Sequence, residues 1–110
     1  MQKFEVLKHE VLEECEDDHV GLWSIVDAVE DYLGTTEPRY VKCFTCALLS
    51  DFLDAGEIQA GFPAKNGRDF EPWTMLTEPA INRIRQEWDA LGRDPEMGEI
   101  VWFTTPSKVV

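Results

Sequence analysis

Three stretches of the sequence carry apolar residues at every third or fourth position, and a glycine follows each stretch. This spacing gathers the apolar side chains on one face of a helix, and glycine readily adopts the left-handed backbone that ends many helices. The pattern predicts helices over residues 19–33, 37–55 and 78–91, which stop at Gly34, Gly56 and Gly92.

The start of each helix has a candidate cap, a residue whose side chain accepts a hydrogen bond from a free backbone N–H. We expect the acidic run that ends at Asp18 to supply the first cap, and Thr36 and Thr77 the other two. Residues 3–14 are ambiguous. Their apolar spacing fits an amphipathic helix, but Phe4 and Val6 also fit a short strand.

Between the second and third helices the apolar residues alternate instead, which is the period of a strand. The Asn66-Gly67 pair is a strong turn signal, so residues 58–73 are expected to form a hairpin. Pro63 and Pro72 should keep these strands at an edge or end them early. Residues 99–103 form a further β-rich run that is expected to pair with the hairpin.

These elements predict an α+β fold of three to four helices packed on a small antiparallel sheet, made of the hairpin and a C-terminal strand. A chain of 110 residues has room for one core, so we expect a single domain over residues 1–110. The order helix, helix, hairpin is partly winged-helix-like. No charged leader precedes an apolar stretch, which favours a cytoplasmic location.

Charge is the strongest indication of function. The chain has 22 acidic and 10 basic residues, a net charge of −12. Residues 1–37 hold eleven acids and two lysines, whereas residues 38–110 hold eleven acids and eight bases. Such a field repels phosphate backbones and anionic membrane surfaces and attracts basic proteins. The alternative is an acidic face that serves only solubility.

Recognisable catalytic chemistry is missing from the sequence. Both histidines, His9 and His19, flank the acidic run, and no nucleophile elbow, phosphate-binding loop or zinc-protease motif occurs. Cys43 and Cys46 form a C-x-x-C pair within a predicted helix, where we interpret them as core or half-buried cysteines rather than a redox or zinc site. We therefore predict no enzyme activity, no cofactor and no metal.

The winged-helix likeness leaves an alternative function open, a regulatory or adaptor module. Binding to DNA would require an outward-facing basic helix before the hairpin. The helix offers only Arg39 and Lys42 and the hairpin adds Lys65 and Arg68, against a background of −12. Direct nucleic-acid binding is therefore disfavoured, and a protein partner is expected for this alternative too.

The pattern around each of the four tryptophans predicts whether it lies in the core or at the surface. Trp23 and Trp88 lie on helical apolar rows and Trp102 follows the alternation of its strand, so all three are expected in the core. Trp73, beside a proline at the foot of the hairpin, is the one most readily placed at a surface, although a core role is favoured for it too.

Several segments together carry a resemblance: LWSIVDAVEDYLG, LLSDFLDAGEIQAGFP, FEPW and LGRDPEMGEIVWF. Their pattern resembles a group of small uncharacterised bacterial proteins that are similar to immunity proteins of contact-dependent or polymorphic toxin systems. The resemblance covers most of the chain. It implies toxin neutralisation and assigns no functional residues.

The leading hypothesis is accordingly a non-enzymatic immunity protein that binds a cognate toxin, expected to be a basic nuclease domain, through an acidic surface. The helix over residues 19–33 places three carboxylates on one face, and the preceding acidic run supplies more. The predicted partner-binding residues are Glu13, Glu14, Asp17, Asp18, Asp27, Glu30 and Asp31.

Overall fold

The described residues form four helices and a four-stranded antiparallel sheet. The computed structural model describes residues 3–65 and 69–106. In chain order the elements are α1 (Lys3–Asp17), β1 (Val20–Gly21), α2 (Leu22–Leu33), α3 (Pro38–Asp54), β2 (Gln59–Pro63), β3 (Phe70–Pro72), α4 (Thr77–Leu91) and β4 (Trp102–Thr104). The predicted α+β class is confirmed, and the ambiguous first segment is a helix.

The helices form for the reasons that the sequence supplies. In α2 the apolar row is buried, and Gly34 follows with φ of 70°, donating its N–H to the carbonyl of Glu30. Gly56 and Gly92 have the same left-handed backbone. All three predicted helix stops are therefore confirmed.

The predicted caps were wrong. Asp18 accepts from the adjacent N–H of His19, and α2 instead begins after Gly21, whose extended backbone pairs with β4. The α3 cap is Glu37, which accepts from the N–H of Arg39. Helix α4 begins one residue early, so Thr77 is inside it and Leu76 precedes it.

The sheet has the strand order β1-β4-β2-β3. The hairpin is confirmed, with β3 as its edge strand and Pro63 and Pro72 at the strand ends. The Asn66-Gly67 turn lies outside the described residues. The C-terminal strand pairs with β2 as expected, but it begins at Trp102. Ile100 has φ of 70°, which interrupts extended backbone and makes 99–103 the wrong bounds.

One face of the sheet packs against the helices, and the other face carries Trp102. Partners in an antiparallel register share a face, and Val20, Phe103 and Ala60 form one such row, all of them buried against the helices. The neighbouring row pairs Trp102 with Gly21 on one side and Gly61 on the other. Trp102 therefore lies on the outer face with no side chain on either flanking strand at its level.

The core draws on every helix. It includes Leu7, Val11, Ile25, Val29, Leu49, Phe52, Ile84, Trp88 and Phe103, each at most 4% exposed. Trp88 is in the core as predicted. Trp73 packs against the core, in line with the core role favoured for it. The assignments of Trp23 and Trp102 were wrong, because both are half-buried and belong to neither the core nor the layer around it. In the part of the chain that the structure describes, no helix is long and apolar enough to cross a membrane.

Candidate protein-binding surface

The last turn of α1 concentrates negative charge at the helix end that least tolerates it. Glu14 and Asp17 lie in this turn, Glu13 directly precedes it and Asp18 follows it, and all four are exposed. The last turn contains no basic residue. Because the helix dipole places partial negative charge at the C-terminus, carboxylates there are unfavourable and cations would be favourable.

These carboxylates have few partners inside the protein. Glu13 lies 3.5 Å from the imidazole of His9, and both side chains are largely exposed. For Glu14, Asp17 and Asp18, no Lys or Arg of the described residues lies within ion-pair distance. Within the described part of the chain, no basic side chain neutralises their charge.

The second predicted group, Asp27, Glu30 and Asp31, lines an open hollow of about 680 Å³ near the end of α2, together with Gly34, Thr35 and Thr36. We call it the α2 hollow. The pKa of Glu30 is raised, first because the side chain is partly withdrawn from water, and then because Asp94 and Asp27 add negative charge beside it.

Asp94 is a member of this group that sequence reasoning missed. Its negative charge lies close enough to Glu30 to help raise the pKa of that carboxyl. It lies 64 positions further along the chain, beyond α4, so no spacing could have joined it to α2. The structure thus adds a fourth carboxyl group to the predicted face.

The carboxylates at the end of α1 line a different depression. Its volume is about 470 Å³, and we call it the indole groove; it is lined by Glu14, Asp17, Asp18, His19, Val20, Gly21, Trp23, Ser24, Met97 and Trp102. The two indoles meet edge to face, with ring centroids 4.8 Å apart and planes at 81°. The groove therefore has an aromatic wall and an acidic rim.

The seven predicted residues thus do not form one continuous site. Three line the indole groove, three line the α2 hollow, and Glu13 lines neither. None of the hollows found among the described residues contains members of both sets.

Two of the four basic residues of the alternative hypothesis contact carboxylates, whereas Lys65 is exposed. Lys42 is paired with Asp89 and lies over the ring of Trp88, and Arg39 contacts Glu37. Arg68 lies outside the described residues. The outward face of α3 also carries the exposed Asp51 and Asp54, so this helix presents little free positive charge to a phosphate backbone.

The cysteines and histidines are dispersed. Cys15 and Cys46 are buried, whereas Cys43 is exposed, which corrects its interpretation as half-buried. Burial raises the pKa of the Cys46 thiol, so this group is held as the unreactive neutral form. Within residues 3–65 and 69–106, no three His, Cys, Asp or Glu side chains are grouped to hold a metal ion.

Comparison with known proteins adds no relative: no protein-family model, curated protein or solved structure matches the chain.

Proposed function

We propose that this protein is a non-enzymatic immunity protein that binds and neutralises a cognate toxin, a basic nuclease domain, through its acidic surface. The observation that carries the proposal is the set of exposed carboxylates on α1 and α2 that have no Lys or Arg partner among the described residues. The inferred mechanism is occlusion, in which these carboxylates take the place of substrate phosphates in the toxin's basic cleft.

The unfavourable placement of these carboxylates supports a role in binding another molecule. Carboxylates at a helix C-terminus each oppose folding by roughly 0.3–1 kcal/mol, and like charges three or four positions apart cost a few tenths more. Asp27, Glu30 and Asp31 have that spacing on α2. A basic partner would convert the repulsion into attraction.

Electrostatic complementarity also suits an inhibitor, which must find its target quickly. Charge steering speeds the association of oppositely charged proteins, and close interfacial charge pairs can carry several kcal/mol of coupling. A net charge of −12 gives this chain a long-range attraction for a basic domain.

One observation favours the alternative, a winged-helix-like adaptor. Helix α3 leads directly into the β2–β3 hairpin, as the helix and wing do in that fold. Because α3 carries the exposed Asp51 and Asp54 beside its few cations, a protein partner is also favoured for the adaptor hypothesis.

The test begins with the tagged protein as bait in a lysate of its host, at low and at high salt. We expect a basic nuclease domain to be retained in near-stoichiometric amounts, and the purified protein to inhibit that nuclease at a one-to-one ratio. Retention of a regulator with no effect on a nuclease would favour the adaptor and contradict the immunity function.

Charge reversal then maps the surface. Changing Asp27, Glu30 and Asp31 to Lys should weaken binding to the captured nuclease by about 100-fold or more in calorimetry, because close interfacial charge pairs contribute several kcal/mol. Reversal of the exposed Asp51, Asp54 and Glu57 alters the net charge equally and serves as the control. Equal losses in both variants would remove the α2 hollow from the interface.

A further inference from the structure

The indole groove combines two features that recognise the same chemical group. Its wall is the edge-to-face pair of Trp23 and Trp102, and its rim is formed by Glu14, Asp17 and Asp18. Aromatic faces attract cations through the ring quadrupole, and carboxylates attract them by charge. Among the described residues, no Lys or Arg lines the groove.

The backbone beneath the indoles explains why they lie there. A Cβ atom at Gly21 would come within 1.5 Å of the Trp23 ring, so the indole of Trp23 rests directly against the Gly21 backbone. Trp102 pairs with the same glycine across the sheet. The missing side chain at Gly21 thus makes room for an aromatic surface on the outer face of the sheet.

Elsewhere in the protein, an arginine already lies between an indole and a carboxylate. The guanidinium of Arg83 lies 4.2 Å from the ring centroid of Trp73, and its Nε donates to the carboxylate of Glu87 at 2.7 Å. One cation is therefore held between an indole and a carboxylate. The indole groove offers the same two components without a cation from the lining residues.

We propose that the indole groove binds an arginine side chain of the basic partner protein, with the guanidinium against the indoles and its N–H groups donating to the rim carboxylates. This inference rests on the proposed function, because it names the group by which a basic partner is anchored. Arginine and tryptophan are the residues most enriched at the energetic centres of protein interfaces.

Arginine fits the groove better than lysine. A guanidinium is planar, stacks on aromatic faces and can donate two parallel hydrogen bonds to one carboxylate. An ammonium is compact and strongly hydrated, so it gains less from an aromatic wall. The groove should therefore distinguish two partners of equal charge.

Met97 also lines the groove, and it lies on a turn that is held by hydrogen bonds at its two ends. Its side chain is 78% exposed and lines the groove beside the indoles. The turn is closed by Arg93, which donates two hydrogen bonds to Glu99, and by Val101 N–H, which donates to the Glu99 carbonyl. A flexible thioether suits contact with the methylene stem of an arginine.

The test uses acetylated, amidated hexaarginine and hexalysine peptides, titrated into the intact protein at about physiological ionic strength. In NMR spectra of labelled protein, we expect the indole N–H signals of Trp23 and Trp102 to shift with hexaarginine. The signal of Trp88, which is 2% exposed, should not move. Hexaarginine should bind about three- to tenfold more tightly than hexalysine, the range of a cation–π contact.

Two variants assign the effect to the groove. Gly21→Ala keeps a backbone that alanine adopts freely but displaces the Trp23 ring, so it should abolish the preference for arginine. Glu14→Gln with Asp17→Asn should weaken hexaarginine binding several-fold more than the charge-matched control Asp51→Asn with Asp54→Asn.

The outcomes separate the two proposals. Equal affinity for both peptides, with unshifted Trp23 and Trp102 signals and no effect of Gly21→Ala, would overturn the arginine site while leaving acidic-surface binding intact. Equal losses in the two double variants would also overturn it. Binding of neither peptide would overturn the arginine site and weaken the electrostatic basis of the proposed function, whose own test is inhibition of the captured nuclease.

Discussion

The α1–α2 half of the protein and the half from α3 to β4 treat their charges differently. In the second half, Lys42, Arg83 and Arg93 each contact a carboxylate, respectively of Asp89, Glu87 and Glu99. In the first half the described ion pairs include only the His9–Glu13 contact and no Lys or Arg pair.

This difference separates carboxylates that form ion pairs within the protein from carboxylates that do not. Ion pairs between exposed groups contribute little to stability, but they do neutralise charge locally. The carboxylates of α3 to β4 are partly used in this way. Those of α1 and α2 form no ion pair with a Lys or Arg of the described residues, so their mutual repulsion is expected to cost folding energy. Three mutations can measure that contrast.

The largest effect on stability is expected at the end of α1. Asp17→Lys replaces a carboxylate by a cation at the negative end of the helix, so it should raise the free energy of unfolding by about 1 kcal/mol in urea titrations. The control is Glu5→Lys in the first turn of the same helix, where the dipole favours the carboxylate and the effect should be destabilising. A gain of equal size in both variants would show that only net charge matters.

A smaller effect is expected in the α2 hollow. Because the pKa of Glu30 is raised in the folded state, the ionised carboxylate opposes folding near neutral pH, and this opposition disappears as the pH falls below the ordinary value of 4.5. Glu30→Gln should therefore raise the free energy of unfolding by about 0.5 kcal/mol at neutral pH, and the gain should vanish in acid.

Asp51→Asn on α3 is the matched control for that variant, since it removes one exposed carboxylate from the other half. A pH-independent gain from Glu30→Gln, or an equal gain from Asp51→Asn, would contradict the described crowding of Glu30 by Asp94 and Asp27.

Much of the fold follows from local signals. Apolar periodicity and the glycine that follows each helix are local signals, so all three predicted helices formed and stop where expected. The first was predicted from residue 19 but begins at Leu22. Strand β1 could not be predicted, because its two residues are extended through pairing with β4, about 80 positions away. The start of β4 was also hidden, since nothing in the sequence indicates the positive φ of Ile100.

The candidate site was less predictable than the fold. Alternation along β4 correctly separates its two faces, but it does not show that the Trp102 face lies outside the core while Phe103 is buried. Trp73 packs against the core beneath Arg83, and nothing in the sequence indicates that this arginine covers its ring. The exposed carboxylates could be predicted from the sequence. The groove that unites three of them with two indoles could not, because it depends on contacts between α1, β1, α2 and the turn at Met97.

The smallest effect on stability is expected at the Arg93–Glu99 ion pair, in the half of the protein whose charges are paired. The two hydrogen bonds from Arg93, with help from the backbone N–H of Glu96, hold the pKa of Glu99 down to about 2. The folded state then binds fewer protons than the unfolded state, so this stabilisation is fully present above the ordinary pKa of 4.5 and is lost as the pH falls towards 2.

Thermal melts of the protein and of Glu99→Gln should therefore differ at neutral pH and converge in acid, with a modest gap because the pair is exposed to solvent. Glu96→Gln removes a carboxylate from the same turn while leaving the backbone N–H that bonds Glu99, so its melt should stay close to that of the unmodified protein. If the gap between Glu99→Gln and the unmodified protein persisted to pH values near 2, the Arg93–Glu99 pair would not be its source. The turn that carries Met97 would then be held by the backbone bonds of Glu99 and Val101 alone.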